Sequence, residues 1–78
     1  MAEHVLKELG ARIRRRRKSI GWSQEELALV AAIDRSYLGG VERGERNITF
    51  TVLCRLCEAL RCDVAALTAA LPHPVGDA

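Results

Sequence analysis

The stretch Ser23 to Arg43, SQEELALVAAIDRSYLGGVER, constrains this chain more than any other part of it. It reads as two short amphipathic helices joined by a tight turn. Glu26 follows Ser23 at the spacing of a capping box, in which each side chain caps the other residue's backbone N–H. Leu27, Ala28 and Ala31 then fall on one face at helical spacing. Ile33 sits in the turn. Asp34 stands where the second helix needs an N-cap, and Leu38 and Val41 supply its buried stripe. A small residue at the crossing, apolar residues on the shared side and a polar outer face are what a helix-turn-helix requires.

The flanking segments are helical as well. Residues Ala2 to Ile20 predict one helix, with Leu6, Leu9, Ile13, Arg17 and Ile20 on a core-facing stripe. Gly21 fits a left-handed cap after it, and Trp22 is expected to pack against the next helix. Gly44 to Ile48 is a loop of charge and glycine. Thr49 reads as the N-cap of a fourth helix ending near Leu60, with Phe50, Leu53, Leu56, Cys57 and Leu60 as its stripe. Asp63 caps a fifth, carrying Val64, Leu67 and Leu71, which Pro72 and Pro74 stop. The tail 72–78 reads as loose. The expectation is a single all-α domain of five helices over 1–78, with the helix-turn-helix at 23–43.

Seventy-eight residues make a marginal core, which dimerisation would help. No apolar run approaches the roughly 18 residues of a membrane span, and no apolar segment follows the basic N-terminal part as a signal peptide requires. Net charge is only +2, so clustering says more: Arg14, Arg15, Arg16, Arg17 and Lys18 are consecutive. A helix spreads five such residues around its circumference. One or two are therefore expected near phosphate, one buried and the rest solvated. Cys54, Cys57 and Cys62 are an odd number of thiols on helical apolar positions, which suits a reduced cytoplasm. A zinc site needs four convergent ligands. The cysteines are read as small core hydrophobes, and no metal or cofactor is expected. His4 and His73 lie near the ends, and neither a catalytic set nor a phosphate-cradling glycine loop is present, so an enzyme is not expected.

The stretch Ser23 to Arg43 resembles the Cro/CI-like helix-turn-helix regulators, also called the XRE family. Gln24 opens the first helix of that pattern, Ala28 sits at the crossing, and Leu27, Ala31, Ile33, Leu38 and Val41 fill its apolar places. Glu42-Arg43-Gly44 closes the second helix. The run IDRSYLGGVERGERNIT (Ile33 to Thr49) resembles most the controller proteins of restriction–modification systems. The resemblance covers roughly Leu6 to Leu71. The chain departs from the pattern at Ala32, where the family usually holds Gly; a positive φ there strains alanine.

The resemblance implies a compact lambda-repressor-like DNA-binding domain. It implies a homodimer on a pseudo-palindromic operator, a role in timing restriction endonuclease expression, and RNA polymerase as a further partner. No membrane and no small-molecule ligand are expected. A phage-type repressor and an antitoxin-like protein-binding module are the alternatives; the latter usually needs an added segment, and only the tail after Leu71 is spare. The N-terminal residues of a recognition helix reach base edges. Arg35 is the long donor there and can bind guanine O6 and N7 bidentately. Ser36 can bond a base edge or a phosphate, Asp34 can orient Arg35, and Gly40 leaves little to read at its position. Gln24, Tyr37, Arg43, Arg46, Asn47 and Thr49 are expected at phosphates. Phe50, Val52, Leu67 and Leu71 are expected at a dimer contact within 50–71.

Arg17 and Glu42 complete the expectations. Arg17 falls on an apolar stripe, and Glu42 lies beside Val41 on the inward side of its helix. A buried charge without a partner is costly, so the two positions explain each other if they pair. In the family the corresponding Arg and Glu form a buried salt bridge.

Overall fold

The structure is a computed structural model that describes residues 2–72, with side chains from His4 onward. Five helices follow in order: α1 (Ala2–Ile20), α2 (Gln24–Ala31), α3 (Arg35–Glu42), α4 (Phe50–Leu60) and α5 (Val64–Thr68). Four of them start where the sequence places a short polar side chain. Ser23 and Glu26 form the reciprocal capping box, at 3.1 and 2.7 Å. Asp34 accepts from the Tyr37 N–H at 3.0 Å, Thr49 from Val52 at 3.2 Å and Asp63 from Ala66 at 2.9 Å. Each bond satisfies an N–H that has no partner inside its own helix.

The first four helices end in one device, a left-handed residue flanked by two crossing backbone bonds. Gly21, Ala32, Gly44 and Arg61 take φ of 90°, 59°, 76° and 58°. After α4, the Arg61 N–H donates to Glu58 O at 3.2 Å and the Cys62 N–H to Cys57 O at 3.0 Å. The same pair of bonds recurs at Gly21/Trp22, Ala32/Ile33 and Gly44/Glu45. Ala32 thus takes a left-handed conformation that glycine would adopt without strain.

Ile13, Leu27, Leu38, Leu56 and Leu60 are fully buried at the centre. α1 packs on α3, α2 on α3 and α4, and α5 closes against α1 and α4. Gly10 decides how closely α1 meets α3. A Cβ there would overlap the Val41 carbonyl oxygen and lie 2.6 Å from that of Glu42.

Several expectations are corrected. Ile20 ends the predicted α1 stripe but is exposed, at the rim of a groove it lines with Trp22, Ala59 and Leu60. Phe50 leaves the α4 stripe and is 69% exposed at the first turn. α5 stops at Thr68, before the prolines: Ala69 leaves helical geometry and Ala70 turns left-handed at φ 67°. Leu67 is 3% exposed and belongs to this chain's own core, so it is withdrawn from the dimer contact. Val52 and Leu71 are half-buried against the same core. His73, Pro74 and the rest of the tail lie outside the described residues.

The basic run divides as a helix requires, with Arg17 buried and Arg14, Arg15 and Lys18 exposed. Arg16, half-buried, has a role the sequence did not suggest. Its guanidinium donates to Leu60 O at 3.0 Å and Arg61 O at 2.9 Å, carbonyls left open at the end of α4. Arg12, one turn earlier, does the same after α5, reaching Leu67 O at 3.2 Å and Ala69 O at 2.7 Å. Cations at helix C-termini satisfy these carbonyls and favour the dipole.

Candidate nucleic-acid interface

The interface is built outward from the pair inside it. Arg17 Nε meets Glu42 Oε2 at 2.7 Å and its second nitrogen meets Oε1 at 2.9 Å, a bidentate contact with both side chains buried. The remaining Arg17 nitrogen donates to Trp22 O at 2.8 Å. Burial alone would raise the Glu42 pKa. The hydrogen bonds from Arg17 and Gln24, with the charges of Arg17 and Arg14, outweigh it and hold the carboxyl below its ordinary value. Glu42 therefore stays ionised and accepts only.

That polarity propagates to the surface. Gln24 Nε2 donates to Glu42 Oε1 at 2.9 Å, so its carbonyl Oε1 is left facing outward. Arg35 donates to that oxygen at 3.0 Å. A continuous series thus runs from buried Arg17 through Glu42 and Gln24 to the exposed guanidinium of Arg35. Glu25 lies 3.9 Å from Arg35 Nε and completes its surroundings. Asp34 does not orient Arg35 as expected: its carboxylate caps α3 instead, and α2 supplies the orienting groups.

Asp34, Arg35 and Ser36 are exposed at the first turn of α3. The outward face is shorter than the sequence implies, because Gly39 and Gly40 are buried. Arg46 lies across Gly40, its Cγ 2.8 Å from where a Cβ would stand, and Arg43 lies across Gly39 at 3.2 Å. Gly40 is therefore corrected from a base-facing position to a seat for the Arg46 stem. Arg46 also stacks over the Tyr37 ring, 5.7 Å from its centre. Arg43 is held by Glu45 at 3.1 Å. Asn47 is exposed, and the Thr49 hydroxyl accepts from Val52 while keeping a proton to donate.

A polar cleft beside α2 is lined by Arg14, Arg17, Gln24, Glu42 and Arg43. Arg14 belongs to the basic run of which one or two members are expected near phosphate, and its place about one helical turn from Arg17 is the signal that selects it. Among the described residues no cluster of His, Cys, Asp or Glu could hold a metal ion, and no helix is long and apolar enough to cross a membrane.

The helix-turn-helix family pattern matches residues 13–67. The control protein C.SmaI of Serratia marcescens is 41% identical over 59 residues, spanning 76% of this chain and 70% of that protein. The restriction–modification controller protein C.AhdI of Aeromonas hydrophila superposes with a TM-score of 0.78 at 44% identity, over 80% of this chain and 94% of that one. The controller C.Esp1396I, solved as a tetramer with its natural 35 base-pair operator, superposes with a TM-score of 0.75 at 30% identity, over 81% and 83% of the two chains. The fold, the buried pair and these likenesses lead to one conclusion: the chain belongs to the helix-turn-helix family of XRE-type regulators, and restriction–modification controller proteins are among its relatives.

Proposed function

We propose that this protein is a sequence-specific DNA-binding regulator that controls a restriction–modification system, its own expression included. The observation that carries the reading is the fixed guanidinium of Arg35 at the exposed start of α3, backed by Gln24 and a buried ion pair. Such a donor, aimed from a helix N-terminus, suits the guanine edge in the major groove. Ser36 reads beside it, and Asp34 keeps the first turn in place. Gln24, Tyr37, Arg43, Arg46, Asn47 and Thr49, with Arg14 added from the cleft, hold phosphates on either side. The carboxylates of Glu25 and Glu45 occupy Arg35 and Arg43 until phosphate or base displaces them.

The protein acts as a homodimer in the cytoplasm, non-catalytic and needing no cofactor or small-molecule ligand, and RNA polymerase is its further partner at the promoter. Phe50, Val52 and Leu71 supply the contact between copies, Phe50 being the exposed member. A two-fold axis there sets two recognition helices about one DNA turn apart, roughly 34–36 Å. Footprinting on the DNA upstream of the protein's own gene tests the reading. Two protected half-sites with dyad symmetry are expected; protection of a single half-site, or none above random DNA, would sink it.

A further inference from the structure

We infer that Cys57 and Cys62 form a reversible dithiol–disulfide pair built into the C-cap of α4. Cys57 lies three residues before Leu60, the last residue of α4, and Cys62 two residues after it, with left-handed Arg61 between. In this type of cap those two side chains are brought into contact, and the backbone bond from the Cys62 N–H to Cys57 O, 3.0 Å, joins the same two residues. At the equivalent cap of α2 the pair is Ala28 and Ile33, an ordinary apolar contact. Here both partners are thiols.

The neighbouring Cys54 is a poorer partner. Residues three apart on a helix hold their Cβ atoms about 5–6 Å apart, whereas a disulfide needs roughly 3.5–4.5 Å. Arg16, bonded to Leu60 O and Arg61 O, keeps the cap closed and the thiols opposed. Cys57 is buried and Cys62 half-buried, so the two differ in access. Burial, with Cys62 alongside, pushes the Cys57 thiol up to about 12. Cys62 therefore meets an oxidant first, and Cys57 stands behind it as the resolving thiol.

With hydrogen peroxide as the two-electron oxidant, the Cys62 thiol becomes a sulfenic acid and one water leaves. Cys57 sulfur then attacks the Cys62 sulfur; the S–S bond forms as the S–OH bond breaks, and a second water carries away the Cys57 proton. A dithiol reductant returns both cysteines to thiols by exchange, its own two sulfurs leaving as a disulfide. The bridge ties the last turn of α4 to the Asp63 cap of α5 without moving either helix.

The test is mass spectrometry of the folded full chain after peroxide, with thiols counted before and after reduction. Wild type and Cys54→Ser are expected to lose two mass units, restored by dithiothreitol, with helicity unchanged by circular dichroism. Cys57→Ser and Cys62→Ser are expected to show no such loss. If either variant loses helicity, peptide mapping of oxidised wild type carries the test, with a Cys57–Cys62 crosslink expected. Three free thiols persisting in peroxide-treated wild type, a Cys54–Cys57 crosslink, or only crosslinks between chains would overturn the inference.

Discussion

Arg17 and Glu42 lie 25 positions apart and grip each other through two hydrogen bonds, fastening α1 to the last turn of α3. Removing one partner leaves the other charge buried and unpaired, which costs roughly 3–5 kcal/mol. Arg17→Met and Glu42→Leu are each expected to destabilise by that order in urea unfolding. The double variant should be more stable than either single. Small and additive effects would contradict a buried pair.

The same pair fixes an acid limit. Glu42 titrates below its unfolded value, so the stability it contributes is present above about pH 4.5 and is lost as pH falls through the folded value. Unfolding followed against pH should show this loss, and Glu42→Gln should flatten it. A wild-type profile identical to that of the variant would remove Glu42 from the acid transition.

Arg35→Ala is expected to reduce operator affinity by about 1–3 kcal/mol while leaving salt-sensitive binding to random DNA unchanged. Gln24→Ala should reduce discrimination at the same base pair, and the two substitutions should be non-additive because Gln24 holds Arg35. Equal losses on operator and random DNA would reassign Arg35 to phosphate.

Ala32 bears left-handed backbone at φ 59°. Ala32→Gly relieves about 1 kcal/mol of that cost and should raise the melting temperature by roughly 4–8 °C. A lower melting temperature would mean that the entropy gained by the unfolded chain outweighs the strain.

Phe50, a large apolar side chain left 69% exposed within the segment expected at the dimer contact, is the candidate for contact between copies. Phe50→Glu should yield a folded monomer by sedimentation and weaken operator binding far more than binding to a half-site. A variant that remains dimeric would move the interface elsewhere.

The sequence was most legible where the determinant was local. Ser23, Asp34, Thr49 and Asp63 each identified a helix start, because an N-cap is settled within three residues. Arg17 and Glu42 could be matched across the chain because each was implausible alone. What failed depended on where other elements end. Nothing local reveals that Arg12 and Arg16 reach the carbonyls closing α5 and α4. A helical wheel places Gly39 and Gly40 outward, but the Arg43 guanidinium and the Gln24 amide cover Gly39 and the Arg46 side chain covers Gly40. Leu67 reads as spare on a helix running to Leu71, whereas α5 ends at Thr68 and buries it in this chain's own core. The opposition of Cys57 and Cys62 was hidden because the left-handed residue between them is Arg61, not glycine.

Gly10 carries a consequence for how such a protein acquires new targets. The seating of α3 on α1 is set by main-chain atoms meeting where no side chain fits, whereas Arg35 and Ser36 project away from that contact. If Arg35 and Ser36 read bases as proposed, a codon change at either alters which DNA is chosen and leaves the contact of α3 with α1 untouched. A codon change at 10 would tilt the whole reading head and spoil every target at once. Divergence between operators is thus cheap at the tip and forbidden at the hinge of contact.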